Sequence, residues 1–269
     1  MHIVVCAKRI PDPEPSAIPF KVDSEQLRRA QVPGLKMVIS PYDEQCLEAA
    51  LRVRDKLGDE VRITAICMGD EEDKKAFKEL FALGADEGVF LLDPGFVGSD
   101  GFVTARILAA AIGKLAPVDL ILTGRMAADF DEGVVGYALA ELLDCPMLPC
   151  ASMLEIEENI VTVQRVVEDG YDLIEADLPA VVSVSNELGE PRRPSMRQMM
   201  QAGRMKPTVW GADDLGLSVA QIGAQGALLE KLDLVVPQVQ KSCEMIDGET
   251  PAILAEQLVS RLRSSRMVI

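Results

Sequence analysis

Short apolar runs alternate with longer amphipathic ones through the first half of the chain. His2–Lys8 (HIVVCAK) is rich in β-branched residues and reads as a buried strand, halted by Pro11, Pro13 and Pro15. Asp43–Asp59 carries Cys46, Leu47, Ala50, Leu51 and Val53 at helical spacing, with acids at its start and Gly58 as a stop, the pattern of an amphipathic helix. The same reading gives a strand over Val61–Gly69 and a helix over 71–86 with Gly84 near its C-cap. A strand over Gly88–Asp93, a helix over Phe102–Ala116 and a strand over Val118–Gly124 follow. Strands separated by helices of this length require right-handed crossovers and a parallel sheet covered on both faces, so the first ~145 residues read as one α/β layer sandwich.

Beyond Leu143 the period changes. Ser152–Glu187 alternates apolar and polar residues at period two, with turn signals at Glu158–Asn159 and Asp169–Gly170, and predicts an antiparallel meander that extends the same sheet. A break at about Ala212 divides a nucleotide-binding α/β domain, 1–211, from a C-terminal arm, 212–269. The arm ends in a helical pattern over Glu249–Ile269, with Thr250 as N-cap before Pro251, and nothing in it requires packing on its own core; it suits an arm that grips a partner subunit.

Composition narrows the chemistry. Forty-three acids against 27 bases give a net charge of −16, which disfavours nucleic acid as a partner. The six cysteines form no CxxC pair and several sit in apolar runs, as expected of a reduced, cytoplasmic protein, and no apolar stretch is long enough to span a membrane. The single histidine, His2, excludes triads and most metal sites and reads as a strand-end residue, so neither catalytic residues nor metal ligands are assigned. A carboxylate pair for hydrolytic chemistry carries no signal, because acids this numerous form such pairs by chance.

The turn Gly124–Gly136 (GRMAADFDEGVVG) follows a strand and opens a helix. In a parallel α/β sheet that is where ligands sit, beyond the carboxyl ends of strands and against helix N-termini, and Gly133 and Gly136 permit close approach by a phosphate. The competing reading is structural: Asp131 caps the helix and Glu132 favours its dipole. The local sequence favours the cap.

The chain as a whole resembles the electron transfer flavoprotein β subunit family. The resemblance rests on five segments in order: VVCAKRIPDP at Val4–Pro13, Ile39–Asp55, GRMAADFDEGVVGYALAELL at Gly124–Leu143, Val163–Val184, and EPRRPSMRQMMQAGRMKP at Glu190–Pro207. It implies a fold of the adenine nucleotide alpha hydrolase-like (HUP) type and pairing with a larger α subunit. FAD would lie mainly in that α subunit, and AMP or a second FAD would fill the β-subunit site. The protein would then be an electron carrier subunit rather than a stand-alone enzyme, either a plain carrier or part of a flavin-based electron-bifurcating complex. It would take electrons from an acyl-CoA dehydrogenase, a related flavin dehydrogenase or NADH.

The matching nucleotide-site positions are Cys6 and Ala7, then Ser40, Pro41, Tyr42 and Asp43, then Cys67 and Met68. From the turn come Gly124, Arg125, Met126, Ala127, Ala128, Asp129, Asp131, Gly133, Val134 and Val135. Glu132, Val134 and Tyr137 depart from the Thr or Cys, Gln and Pro frequent in relatives, which removes side-chain contacts to phosphate and leaves the backbone amides of 133–135. In the family the 190–207 segment recognises the dehydrogenase by projecting an apolar residue into a pocket. Met196 stands at that position, with Arg192, Arg193 and Arg197 beside it, while Met196, Met199 and Met200 have the spacing of ordinary core. The alternative is a stand-alone universal-stress-like nucleotide-binding or ATP-hydrolysing protein, which needs a glycine-rich phosphate loop with a following Ser or Thr that this sequence lacks.

Overall fold

A computed structural model describes residues 1–14, 21–23, 25, 28–30, 32–236 and 243–265. Nine strands form one sheet: β1 (His2–Ala7), β2 (Arg62–Met68), β3 (Glu87–Leu91), β4 (Leu120–Gly124), β5 (Met147–Glu157), β6 (Ile160–Val167), β7 (Gly170–Asp177), β8 (Ala180–Val184) and β9 (Thr208–Trp210), in the order β7-β6-β5-β8-β4-β1-β2-β3-β9. From β5 to β9 every pairing is parallel; β6 and β7 are antiparallel additions at one edge. The α/β layer sandwich with its meander is therefore present, with one correction.

The meander has three strands. β8, read as part of it, leaves it and inserts between β5 and β4, parallel to both. Its residues Ala180–Val184 are all buried, so it lacks the wet face of a meander strand and belongs in the sheet centre.

Helices cover both faces. β1 shows why: Ile3, Val5 and Ala7 join one core layer, Val4 and Cys6 the other, as the period of two requires. The first layer is closed by α1 (Pro41–Leu57) and α2 (Ala76–Leu83), the second by α3 (Gly101–Leu115) and α4 (Val134–Leu143). Glu71–Lys75 forms a 3-10 turn ahead of α2, because Asp70 and Asp73 make a capping box there and hold those residues out of the α-helix.

α5 (Met196–Ala202) packs on α2, and residues from Ala212 to Ala227 lie on the α3 face, with Leu215, Leu217 and Ile222 in its core layer. From Leu228 the side chains turn outward: Leu228, Leu229, Leu232 and Val235 are exposed. α6 (Pro251–Ser264) starts at the expected Thr250 cap and has no buried residue; positions 266–269 of the expected helix lie outside the described residues.

Candidate functional site

The sheet order β4-β1-β2 places the carboxyl ends of three parallel strands side by side, and the predicted site residues gather there. Cys6 and Ala7 end β1, Cys67 and Met68 end β2, Gly124 ends β4, Ser40–Asp43 open α1, and Arg125–Gly133 form the turn into α4. The strands hold the two helix N-termini close together. A Cβ on Gly124 would stand 2.7 Å from Asp43 Oδ1 and 2.8 Å from the Tyr42 Cβ, so glycine is what lets α1 close on β4.

Asp131 is not the cap of α4. It sits at φ 53° inside the turn, where its N–H donates to Ala127 O, and the N-cap is Gly133, which offers no side-chain acceptor. Closure of the turn by the Ala127 N–H to Glu132 O bond leaves Asp131 two residues short of the helix. Nor does α4 carry an acid in its first turn, and among the described residues no side chain caps its opening amides. Glu132 points elsewhere: a Cβ on Gly101 would meet its Oε1 at 2.7 Å, which places the carboxylate against the start of α3. The Glu132 carboxylate thus lies between the starts of α3 and α4, against Gly101.

Four buried side-chain polar atoms lack a hydrogen-bond partner among the described residues, and three of them are Ser40 Oγ, Gln45 Oε1 and Thr123 Oγ1, on the opening of α1 or the end of β4. Thr123 Oγ1 would lie 2.7 Å from a Cβ on Gly136, so the orphan hydroxyl abuts the first turn of α4. Unpaired buried polar atoms are costly, and three of the four fall near the opening of α1 and the end of β4.

Charge at the edge is locally balanced. Lys8 Nζ pairs with Asp129 Oδ1 at 2.8 Å and lies 5.5 Å from the Phe130 ring centroid, while Arg125 stacks on Tyr42 at 5.6 Å. Asp43 is buried and accepts the Lys8 N–H at 2.7 Å; burial pushes its carboxyl up to about 7 despite that bond. Burial also pushes the Cys6 thiol up to about 12 and raises Cys46 and Cys67, so these thiols pack as neutral groups. Lys8, Thr123 and Phe130 complete the cluster; adjacency to predicted positions is the only signal they carry in the sequence. Among the described residues no group of His, Cys, Asp and Glu is arranged for a metal.

The 190–207 segment is elsewhere, on the α1 and α2 side. Met196 is 72% and Met200 70% exposed, which removes the core reading of the methionine pattern. Ser195 and Gln198 form a capping box that starts α5, and only Ala202 is buried. Arg192 is committed: Nε binds Glu48 Oε2 at 2.8 Å and Nη2 binds Asp55 Oδ2 at 2.7 Å, which fastens the segment to α1. Glu48 is buried, yet its bonds to Arg192 and Arg52 outweigh burial and hold its carboxyl below the usual range. Arg193 and Arg197 are exposed and make no ion pair among the described residues.

The arm leaves beside the turn. Asp100 caps α3 through Val103 N–H and accepts Leu228 N–H at 2.7 Å and Leu229 N–H at 3.0 Å, while Lys231 lies over the Phe130 ring.

Comparison with known proteins adds the remaining information. The family model described as "Electron transfer flavoprotein domain" matches residues 33–215. The chain is 34% identical over 268 residues to the "Caffeyl-CoA reductase-Etf complex subunit CarD" of Acetobacterium woodii, with all of both chains covered. It is 34% identical over 269 residues to the "Electron transfer flavoprotein subunit beta" of Thermoanaerobacterium thermosaccharolyticum, again covering both. To "Protein FixA" of Azotobacter vinelandii it is 32% identical over 272 residues, 97% of this chain and 94% of that one.

Proposed function

The chain belongs to the electron transfer flavoprotein domain family, and on that premise we propose that it is the β subunit of a two-subunit electron carrier. The observation that carries this reading is end-to-end correspondence with relatives named as β subunits, combined with an open helix N-terminus at the edge where this fold receives ligands.

The residues suit an adenine nucleotide. The amides of Val134 and Val135 at the uncapped start of α4 would receive a phosphate, with the buried, unpartnered hydroxyls of Thr123 and Ser40 beneath the same edge. AMP or FAD would be held there, with the electron-carrying FAD mainly in the α subunit. The flavin, when bound, supplies the redox chemistry; this chain binds, orients and shields. The exposed side chains from Leu228 onward and α6, which has no buried residue, fit an arm on the α subunit. Met196, Arg193 and Arg197 fit docking to an acyl-CoA dehydrogenase or related flavin dehydrogenase, with Arg192 positioning the segment. Six unpaired thiols fit the cytoplasm, and no described helix is long and apolar enough to cross a membrane.

The test is production of the full chain with its α subunit, acid release of bound nucleotide and identification by mass. An adenine nucleotide beyond the α-subunit flavin is expected, AMP or FAD according to the mass, and a heterodimer containing no such second nucleotide overturns the site. For the partner surface, Met196→Ala should leave thermal stability within about 0.5 kcal/mol, as for an exposed residue, and weaken docking by about 1–3 kcal/mol. A lowered melting point with an unchanged transfer rate per folded molecule would sink that assignment.

A further inference from the structure

Asp43 is a buried carboxyl that makes no ion pair among the described residues. Its Oδ2 accepts the Lys8 N–H at 2.7 Å, the Gly124 backbone N–H also donates to the carboxyl, and its own N–H bonds Ser40 O at 2.9 Å. Charged and titratable groups face it from each neighbouring element. β1 contributes Cys6 and the following Lys8, α1 contributes Cys46, β2 contributes Cys67 and the turn contributes Asp129. The three thiols are neutral, and the ammonium of Lys8 is already engaged by Asp129 at 2.8 Å. Arg125, the other nearby cation, lies over Tyr42 with Nη1 towards Ser185 Oγ at 3.4 Å.

A phosphate arriving at the α4 N-terminus adds negative charge to this edge. Lys8 would then be shared among Asp129, Asp43 and the phosphate, while Arg125 stacks on Tyr42 and Lys231 lies over the Phe130 ring, so among the described residues no cation is bonded to the Asp43 carboxyl through its side chain. A buried carboxylate without a counter-ion is the group that relieves the excess by taking a proton. We propose that Asp43 is a proton-linked positioning residue of the nucleotide site: it takes one proton from solvent as an anionic nucleotide binds and returns it on release. The inference rests on the nucleotide-site reading above. Burial already holds this carboxyl near neutrality, so a further push by a bound anion falls in an accessible pH range.

The sign follows. Protonated Asp43 is favoured in the bound state, so binding strengthens as pH falls through neutrality and weakens as it rises, by up to about tenfold per pH unit for one linked proton. The test is calorimetric titration of AMP into the nucleotide-stripped heterodimer between pH 6 and 8.5, in buffers of low and high ionisation enthalpy, for wild type and Asp43→Asn. Asparagine keeps an acceptor for the Lys8 N–H. The phosphate's own titration is common to both proteins and cancels in the difference, so wild type should take up as much as one proton more than Asp43→Asn near pH 7.5. If the asparagine variant does not fold, the infrared carbonyl band of a protonated carboxyl in wild type, expected to grow when AMP is added, gives the same answer. Equal proton uptake in the two proteins, or no such band change, overturns the proposal while leaving the site intact. Absence of AMP binding at every pH overturns the AMP form of the site itself and the proton linkage with it.

Discussion

At the amino edge of the sheet, His2 Nε2 meets Thr64 Oγ1 at 2.9 Å, Nδ1 lies 3.0 Å from Pro117 O and 2.8 Å from Arg62 Nη2, and the His2 N–H donates to Asp119. At the carboxyl edge of the same strands, Ser40 Oγ and Thr123 Oγ1 are buried without partners and α4 begins on an uncapped glycine. One sheet thus ends in a closed polar network on one side and an unsatisfied one on the other. Stability alone would close both edges; the polar groups left open lie where the proposed nucleotide would complete the structure.

The largest way to break this contrast is at Gly124. Valine there drives a Cβ into Asp43 Oδ1 and the Tyr42 Cβ, so the N-terminus of α1 must retreat from β4. A loss of about 3 kcal/mol in stability is expected from overpacking, together with loss of bound nucleotide. Chemical denaturation and nucleotide content on one preparation check both. Full nucleotide content in a destabilised variant would separate the site from α1.

At the closed edge the two readouts should come apart. His2→Ala leaves Thr64 Oγ1 and Pro117 O without their partner and should cost about 2 kcal/mol, with nucleotide content unchanged. The pH responses of the two edges are opposite in sign. Burial, aided by Arg62, holds the His2 pKa below its usual 6.5, so the fold prefers it neutral. Its contribution is present above pH 6.5 and is lost as pH falls below that value. Asp43 is held above its usual 3.8, up to about 7, so its contribution is present at low pH and fades as pH rises from 3.8 through 7. Melting curves from pH 5 to 8 should therefore show the acid-side loss weakened in His2→Ala and the loss towards pH 7 weakened in Asp43→Asn.

Much of this was legible in the sequence, for identifiable reasons. α1 was legible because its apolar spacing and acidic start all agree, and β1 because its branched residues read as a buried strand. Thr250 read as the cap of the last helix for the same kind of local reason. β8 was misplaced because the order of strands in space is not written in their order along the chain; its lack of alternation was the available sign. The cap on α4 was misread because Asp131 has the right chemistry, while the Ala127–Glu132 closure that displaces it is a property of the folded turn. Arg192 looked like a free docking charge because its partner Glu48 lies far away in sequence, and the methionine spacing left a core alternative beside the exposed reading of Met196 because spacing does not say which face is covered. The orphan hydroxyls of Ser40 and Thr123 could not be read at all, since only three-dimensional surroundings make a hydroxyl unpaired.

The smallest effect on folding, and the sharpest on the contrast between edges, is expected from Gly133→Asp. Aspartate at the N-cap gives α4 the carboxylate acceptor that the turn withholds, which favours the helix through the first amides and the dipole. Against that gain, its Cβ would stand 3.0 Å from Arg125 O, tight enough to require a small backbone adjustment. The two terms oppose each other, so stability should change by less than about 1 kcal/mol in either direction. Nucleotide binding should respond far more, because the new carboxylate occupies the amides proposed for phosphate and repels its charge. Glu132 supplies the control: its carboxylate lies against Gly101 at the start of α3 and not on the amides at the N-cap, so Glu132→Gln should leave nucleotide content unchanged or raise it. If Gly133→Asp retained its nucleotide at full occupancy, the phosphate would not rest on α4, and the open amides would need another explanation.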